Sequence, residues 1–118
     1  MQYRAPKPTP RHEAEKNLAS GDISLICDTM VNIAFFEPDA DWVEGVCVEF
    51  LTHHPAYQVR AISATCLGHL ARIHRNSRLA RLRPLLKEML QDPQVWPYAS
   101  DALDDFDMFL DPEPGSKG

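Results

Sequence analysis

From Phe50 to Lys87 the chain contains no acidic residue, although acids outnumber bases 17 to 12 over its 118 residues. Long apolar runs are missing too. Residues 1–20 hold nothing like the apolar core of a signal peptide, and no stretch of about 18 uncharged residues is present to span a bilayer. The expected location is therefore the cytoplasm, with no membrane partner. Cysteine is sparse and odd in number; Cys27, Cys47 and Cys66 each fall in an apolar helical stripe, which excludes a disulfide framework. The chain lacks a glycine-rich phosphate loop, a Gly-x-Ser-x-Gly turn and a His-Glu-x-x-His pair. No catalytic constellation, cofactor or metal is expected, and the protein is read as a non-enzyme. Glycine is also scarce, with 5 residues against 10 prolines, a balance that points to short helices separated by firm stops.

What is present is helical periodicity. The three prolines of MQYRAPKPTPR forbid a regular helix and define an N-terminal arm, residues 1–11. The domain then occupies residues 12–110, with a mobile tail at 111–118. A weak helical signal from His12 to Ala19 stops at Ser20 and Gly21. Asp22 caps a second helix, Ile23 to Phe36, whose apolar face is Ile23, Ile26, Cys27, Met30, Val31 and Ala34. A third runs from Ala40 to His53, opened by Asp39 or by Asp41 with Glu44 three residues on. The fourth, Tyr57 to His74, carries Val59, Ile62, Cys66, Leu67, Leu70 and Ile73 on one stripe. Its small residues Ala61, Ala64, Gly68 and Ala71 suit a helix with neighbours on several sides. It is expected to end near a left-handed Asn76, with Ser77 capping a fifth helix, Arg78 to Gln91, kinked at Pro84. Asp92 and Pro93 open a sixth that reaches Leu110, its start distorted by Pro97.

Sliding the chain by 36 residues aligns three of these helices, so that Ile23, Val59 and Val95 coincide, as do Met30, Cys66 and Ala102, and Ala34, Leu70 and Phe106. The intervening helices align at an offset of 39, Val43 to Leu51 on Leu82 to Leu90. Helix pairs recurring at this length define an all-α fold, a short α-solenoid of about three antiparallel pairs. The segment HPAYQVRAISATCLGHL resembles the HEAT repeat in its proline-containing turn, its Val-Arg pair opening the second helix, and its Leu-Gly-x-Leu close. The likeness covers residues 38–110 well and 12–36 loosely. It departs at Ser24 and Trp96, where Arg60 sits, and at Asp104, where Gly68 sits. RAISATCLGHLARIH and ALDDFDMFL are also similar to small bacterial HEAT-like proteins, and that resemblance implies an immunity or adaptor protein.

Cys66, His69 and His74, with His53 and His54, invite a zinc reading, but the repeat register puts Cys66 at a core position. The charges are better candidates. Arg60, Arg72, Arg75, Arg78, Arg81, Arg83 and Lys87 make the middle basic, without the interleaved aromatics of a nucleic-acid platform. An arginine placed like Arg60 commonly pairs with an acid of the adjacent repeat. Asp101, Asp104, Asp105, Asp107 and Asp111 gather on the last helix as a solvated acidic face, for binding or for solubility alone. Second helices of successive repeats line one face, where Trp96, Ser100 and Met108 join Arg60, Arg72 and the aspartates around a floor of Ala64 and Gly68. These residues form the expected partner-binding surface. The expected partner is a protein, in particular a basic, nuclease-type toxin domain. A general adaptor, an enzyme subunit, a homodimer and a nucleic-acid binder are the alternatives.

Overall fold

The computed structural model describes residues 5–110. The expected mobile tail with Asp111, and the first four residues of the arm, lie outside the described residues. Six α-helices and one 3-10 segment account for the regular structure, and no strand occurs among the described residues, so the fold is all-α.

Each helix start has a local cause. Helix α1 (Arg11–Leu18) follows Pro10, whose fixed φ of −56° suits a helix entrance. Gly21, at φ 78°, makes the left-handed reversal that few other residues accept, and Asp22 then caps α2 (Ile23–Phe36) by accepting the Leu25 N–H at 3.1 Å. Asp39 caps α3 (Ala40–His53) in the same way, accepting the Trp42 N–H at 3.1 Å, which decides between the two expected openings. Helix α4 (Tyr57–His74) ends in a left-handed Arg75, φ 51°. Asn76 was expected there; it instead turns its side chain forward to accept the Arg78 N–H at 3.0 Å, the capping task expected of Ser77.

The fifth helix differs most from expectation. Ser77–Leu82 is a 3-10 segment, and α5 (Arg83–Met89) begins only at Arg83. Pro84 therefore stands in a first turn, where its missing N–H has no partner to lose, and kinks nothing. Asp92 and Pro93 form a separate turn rather than the first turn of a helix; the Asp92 carbonyl accepts the Val95 and Trp96 N–H groups at 3.1 and 2.9 Å. Helix α6 (Trp96–Phe109) starts after it, with Pro97 again in the first turn.

Helix α4 packs against α2, α3 and α6 at once, while α1 lies on α2 and α5 on α6. Val59, Ala64, Cys66, Leu67 and Ala71 are fully buried along it, and Ile73, assigned to its stripe by periodicity, is 40% exposed. The burial of Ala64 and Gly68 corrects the expected solvent-facing floor. A Cβ on Gly68 would come within 3.2 Å of the Ala102 Cα and 2.6 Å of Asp105 Oδ2, so this position is the seam between α4 and α6. Met30, Cys66 and Ala102 are buried alike, as are Ala34, Leu70 and Phe106, in keeping with the 36-residue register. Ile23 and Tyr98 break it, at 40% and 43% exposed, because each stands at the outer margin of the α2, α4, α6 row.

The described part of the arm, residues 5–10, has no helix and runs along α2, where the Lys7 N–H donates to Asn32 Oδ1 at 3.0 Å and Asn32 Nδ2 donates to Thr9 Oγ1 at 3.3 Å. The two interior helical glycines should respond oppositely to substitution. Gly68→Val overpacks the seam and should cost about 1–3 kcal/mol. Gly45 of α3 has nothing within 4 Å of an added Cβ, and Gly45→Ala should gain up to about 1 kcal/mol. Urea denaturation of both variants checks the pair.

Candidate functional site

Helix α6 ends the row, and its two flanks have different environments. One flank, Ala102 and Asp105, meets α4 at Gly68. The other carries Ser100 and Asp104, the register equivalents of Ala64 and Gly68, and no helix covers it among the described residues. The result is an open edge. Asp101, Asp104 and Met108 are exposed along it, Met108 to 73%, with Trp96 half-exposed at the helix start and Ser100 partly covered. Asp101 and Asp104 have no charge partner among the described residues, so four residues bring two unneutralised carboxylates to one strip of helix.

The other predicted residues are divided by the fold. Asp105 does not share the solvated face; it is partly buried, turned back onto α4 beside Gly68 and His69. Asp107 is exposed but ion-paired with Arg83 of α5. Arg60 is drawn into the scaffold: its guanidinium donates to the His54 and Pro55 carbonyls at 2.9 and 3.1 Å and lies 3.7 Å from the Asp92 carboxylate. That interaction ties the turn entering α4 to the turn entering α6, the bracing role expected of this arginine. Asp111 lies outside the described residues.

Arg72 belongs to a second cluster that periodicity missed. Its Nη2 is 2.9 Å from His69 Nδ1, its guanidinium stands 6.0 Å from the centre of the Phe35 ring, and the His69 and Phe35 rings are 4.8 Å apart. Phe36, 47% exposed, continues the cluster on α2, so an aromatic and cationic patch lies next to Asp105. The consecutive phenylalanines before Glu37-Pro38 were the one signal that could have found it. Phe35, Phe36 and His69 also line a cavity of about 1070 Å³ that extends under the arm to Lys7 and Thr9.

Four of the seven cations of the basic middle, Arg60 included, lie against acids of the segments on either side. Arg78 lies 3.7 Å from Asp41, Arg81 pairs with Glu44, and Arg83 with Asp107. Arg75 covers the Phe109 ring at 5.1 Å. Charges segregated along the sequence are thus brought together by packing, and no continuous basic stripe is left for a nucleic-acid backbone. The cysteines are free. Cys66 is fully buried, its thiol pKa raised well above the ordinary value by a hydrogen bond with Cys47, then by burial and by the repulsion an ionised Cys66 would meet from the neighbouring sulfur. Burial, with Asp28 and Cys66 nearby, also raises Cys27. No group of three or more His, Cys, Asp or Glu is arranged to hold a metal ion among the described residues.

Burial lowers the pKa of His69 below 6.5, the Arg72 charge lowers it further, and Asp105 opposes both. The folded state therefore binds this proton less tightly than the unfolded chain does. The contribution is fully present above the unfolded value and is lost as pH falls through the folded one. Thermal melts should show the decline between about pH 7 and pH 5 to be shallower in His69→Gln than in the wild type.

No helix of the described residues is long and apolar enough to cross a membrane. No protein-family model matches the chain, and no curated protein matches it. Among solved structures, a chain in the crystal structure of a CDI complex from Cupriavidus taiwanensis superposes with a TM-score of 0.82 at 33% identity. The match covers 92% of this chain and 96% of that one. Identity at this level over nearly both full lengths extends beyond a shared fold, and the chain belongs to the same family as this component of a CDI complex.

Proposed function

We propose that the protein is an immunity protein of a contact-dependent inhibition pair, a non-enzymatic cytoplasmic binder that neutralises a toxin domain by covering it. The observation that carries this reading is the near full-length similarity to a component of a CDI complex. The choice of the immunity side is supported by the charge of the chain, −5 overall, and by the open acidic edge of α6. Unneutralised carboxylates beside a half-exposed Trp96 and an exposed Met108 combine steering charge with apolar anchors. A toxin domain of nuclease type, basic because it must approach nucleic acid, is the partner this edge fits. The architecture is a short HEAT-like solenoid of three helix pairs, a reading supported by the 36-residue register and by α4 standing between α2 and α6.

Within that reading Asp101, Asp104, Trp96, Ser100 and Met108 make the primary contact. Asp107 and Asp111 extend it, and Arg72 with Asp105 forms its flank. Arg60 is a brace rather than a contact. The test is binding of the toxin domain encoded with this protein, measured at two salt concentrations for the wild type and for Asp101→Lys with Asp104→Lys. The double reversal should weaken binding at least about tenfold, about 1.4 kcal/mol, mainly through slower association, and should remove most of the salt dependence. Equal affinities of both proteins at both salt concentrations would sink the acidic-edge assignment. A failure of the wild type to protect against the toxin would sink the immunity reading itself.

A further inference from the structure

A second surface lies on the side of the molecule formed by α1 and α3, and it shares no residue with the α6 edge. Leu18, Trp42, Val46 and Phe50 are partly buried against the core, and they line an open groove of about 590 Å³. Three carboxylates border it, Glu15, Asp41 and Glu49, with side chains 57%, 70% and 67% exposed. Their contacts within the chain, to the Arg11 and Arg78 guanidinium groups and to the His53 ring, are 3.8, 3.7 and 3.4 Å long. Exposed pairs of that length contribute little and are readily exchanged for another cation.

Gly45 lies in this groove, in the middle of α3. Glycine in a helix interior costs about 1 kcal/mol relative to alanine. At Gly68 the α4–α6 seam accounts for that cost, but around Gly45 an added Cβ would meet nothing within 4 Å. The packing of this chain therefore gives no reason for glycine, whereas an occupant approaching α3 closely does.

We infer that the groove docks a cationic amphipathic helix of a protein partner. The walls are helices whose backbone groups are already hydrogen-bonded, so they offer no ladder to an extended strand, and a helix arrives with its own bonds made. From Asp41 to Phe50 the wall is nine residue steps, about 14 Å at 1.5 Å per residue, long enough for apolar anchors at i, i+3 or i+4, and i+7. The acidic border selects lysine and arginine beside those anchors and disfavours an anionic membrane surface. This inference does not rest on toxin neutralisation and stands or falls separately from it.

The probe is a capped, fluorescein-labelled 14-residue peptide with leucines at that spacing and lysines between them, titrated into the full chain by anisotropy and by amide chemical-shift mapping. The largest shifts should fall on Ala19, Gly45, Val46 and Phe50. Gly45→Leu, which fills the groove, should weaken binding at least about tenfold with its circular dichroism and melting temperature preserved. Asp41→Lys with Glu49→Lys should do the same, and a peptide with glutamates for lysines should not bind. Shifts confined to α6, or equal affinity for the wild type and Gly45→Leu, would overturn the inference. So would a wild type that sediments as a dimer and a Gly45→Leu variant that sediments as a monomer, because a second copy would then be the occupant.

Discussion

The close approach of α4 and α6 at Gly68 is the constraint on which the rest of the structure depends. Helix α4 must satisfy three neighbours at once, and a helix so placed cannot carry large side chains all round without forcing one neighbour away. It divides its surface accordingly, with Val59, Cys66, Leu67 and Leu70 toward the main core and Ala64, Gly68 and Ala71 where room is scarce. The seam fixes the position of α6, and so decides which of its residues reach solvent. Asp105 is turned inward toward His69 as a direct result, while Asp101, Asp104 and Met108 are left on the outer strip.

Electrostatics joins the units that apolar packing arranges. Arg60 with Asp92, Arg78 with Asp41 and Arg81 with Glu44 each link one helix pair to the next, across sequence separations of 32 to 37 residues. The Arg78–Asp41 pair is exposed on both sides and individually weak. Arg60 and Asp92 are both largely enclosed, and Arg60 also serves two carbonyls in the turn between α3 and α4. With Arg83 and Asp107 they offset four of the seven cations of the basic middle. Asp101 and Asp104, without a charge partner among the described residues, leave the α6 edge acidic.

Much of the helical framework was legible in the sequence because it rests on local chemistry. Asp22, Asp39, Gly21 and Pro55 are punctuation that acts within a few residues, and the second, third and fourth expected helices appear with the same boundaries. The fifth helix was misread because Pro84 is compatible with either a kink or a first turn, and the choice depends on how Leu79 and Ala80 pack, which no window of sequence contains. The candidate site was legible in composition but not in orientation. A helical wheel places Asp104 and Asp105 on adjoining strips, and only the position of α4 separates them. The Phe35, His69 and Arg72 cluster joins residues from two helices, and the groove beside Gly45 depends on the spacing of α1 and α3; neither leaves a periodic trace.

Asp104 stands 36 residues after Gly68, on α6 as Gly68 is on α4. At Gly68 the absence of a side chain admits the next helix, and at Asp104 a charged one refuses it, since burying an unpaired carboxylate costs several kcal/mol. At the spacing that α4 and α6 share, the outer flank of α6 therefore admits only a surface that brings a positive charge to Asp104.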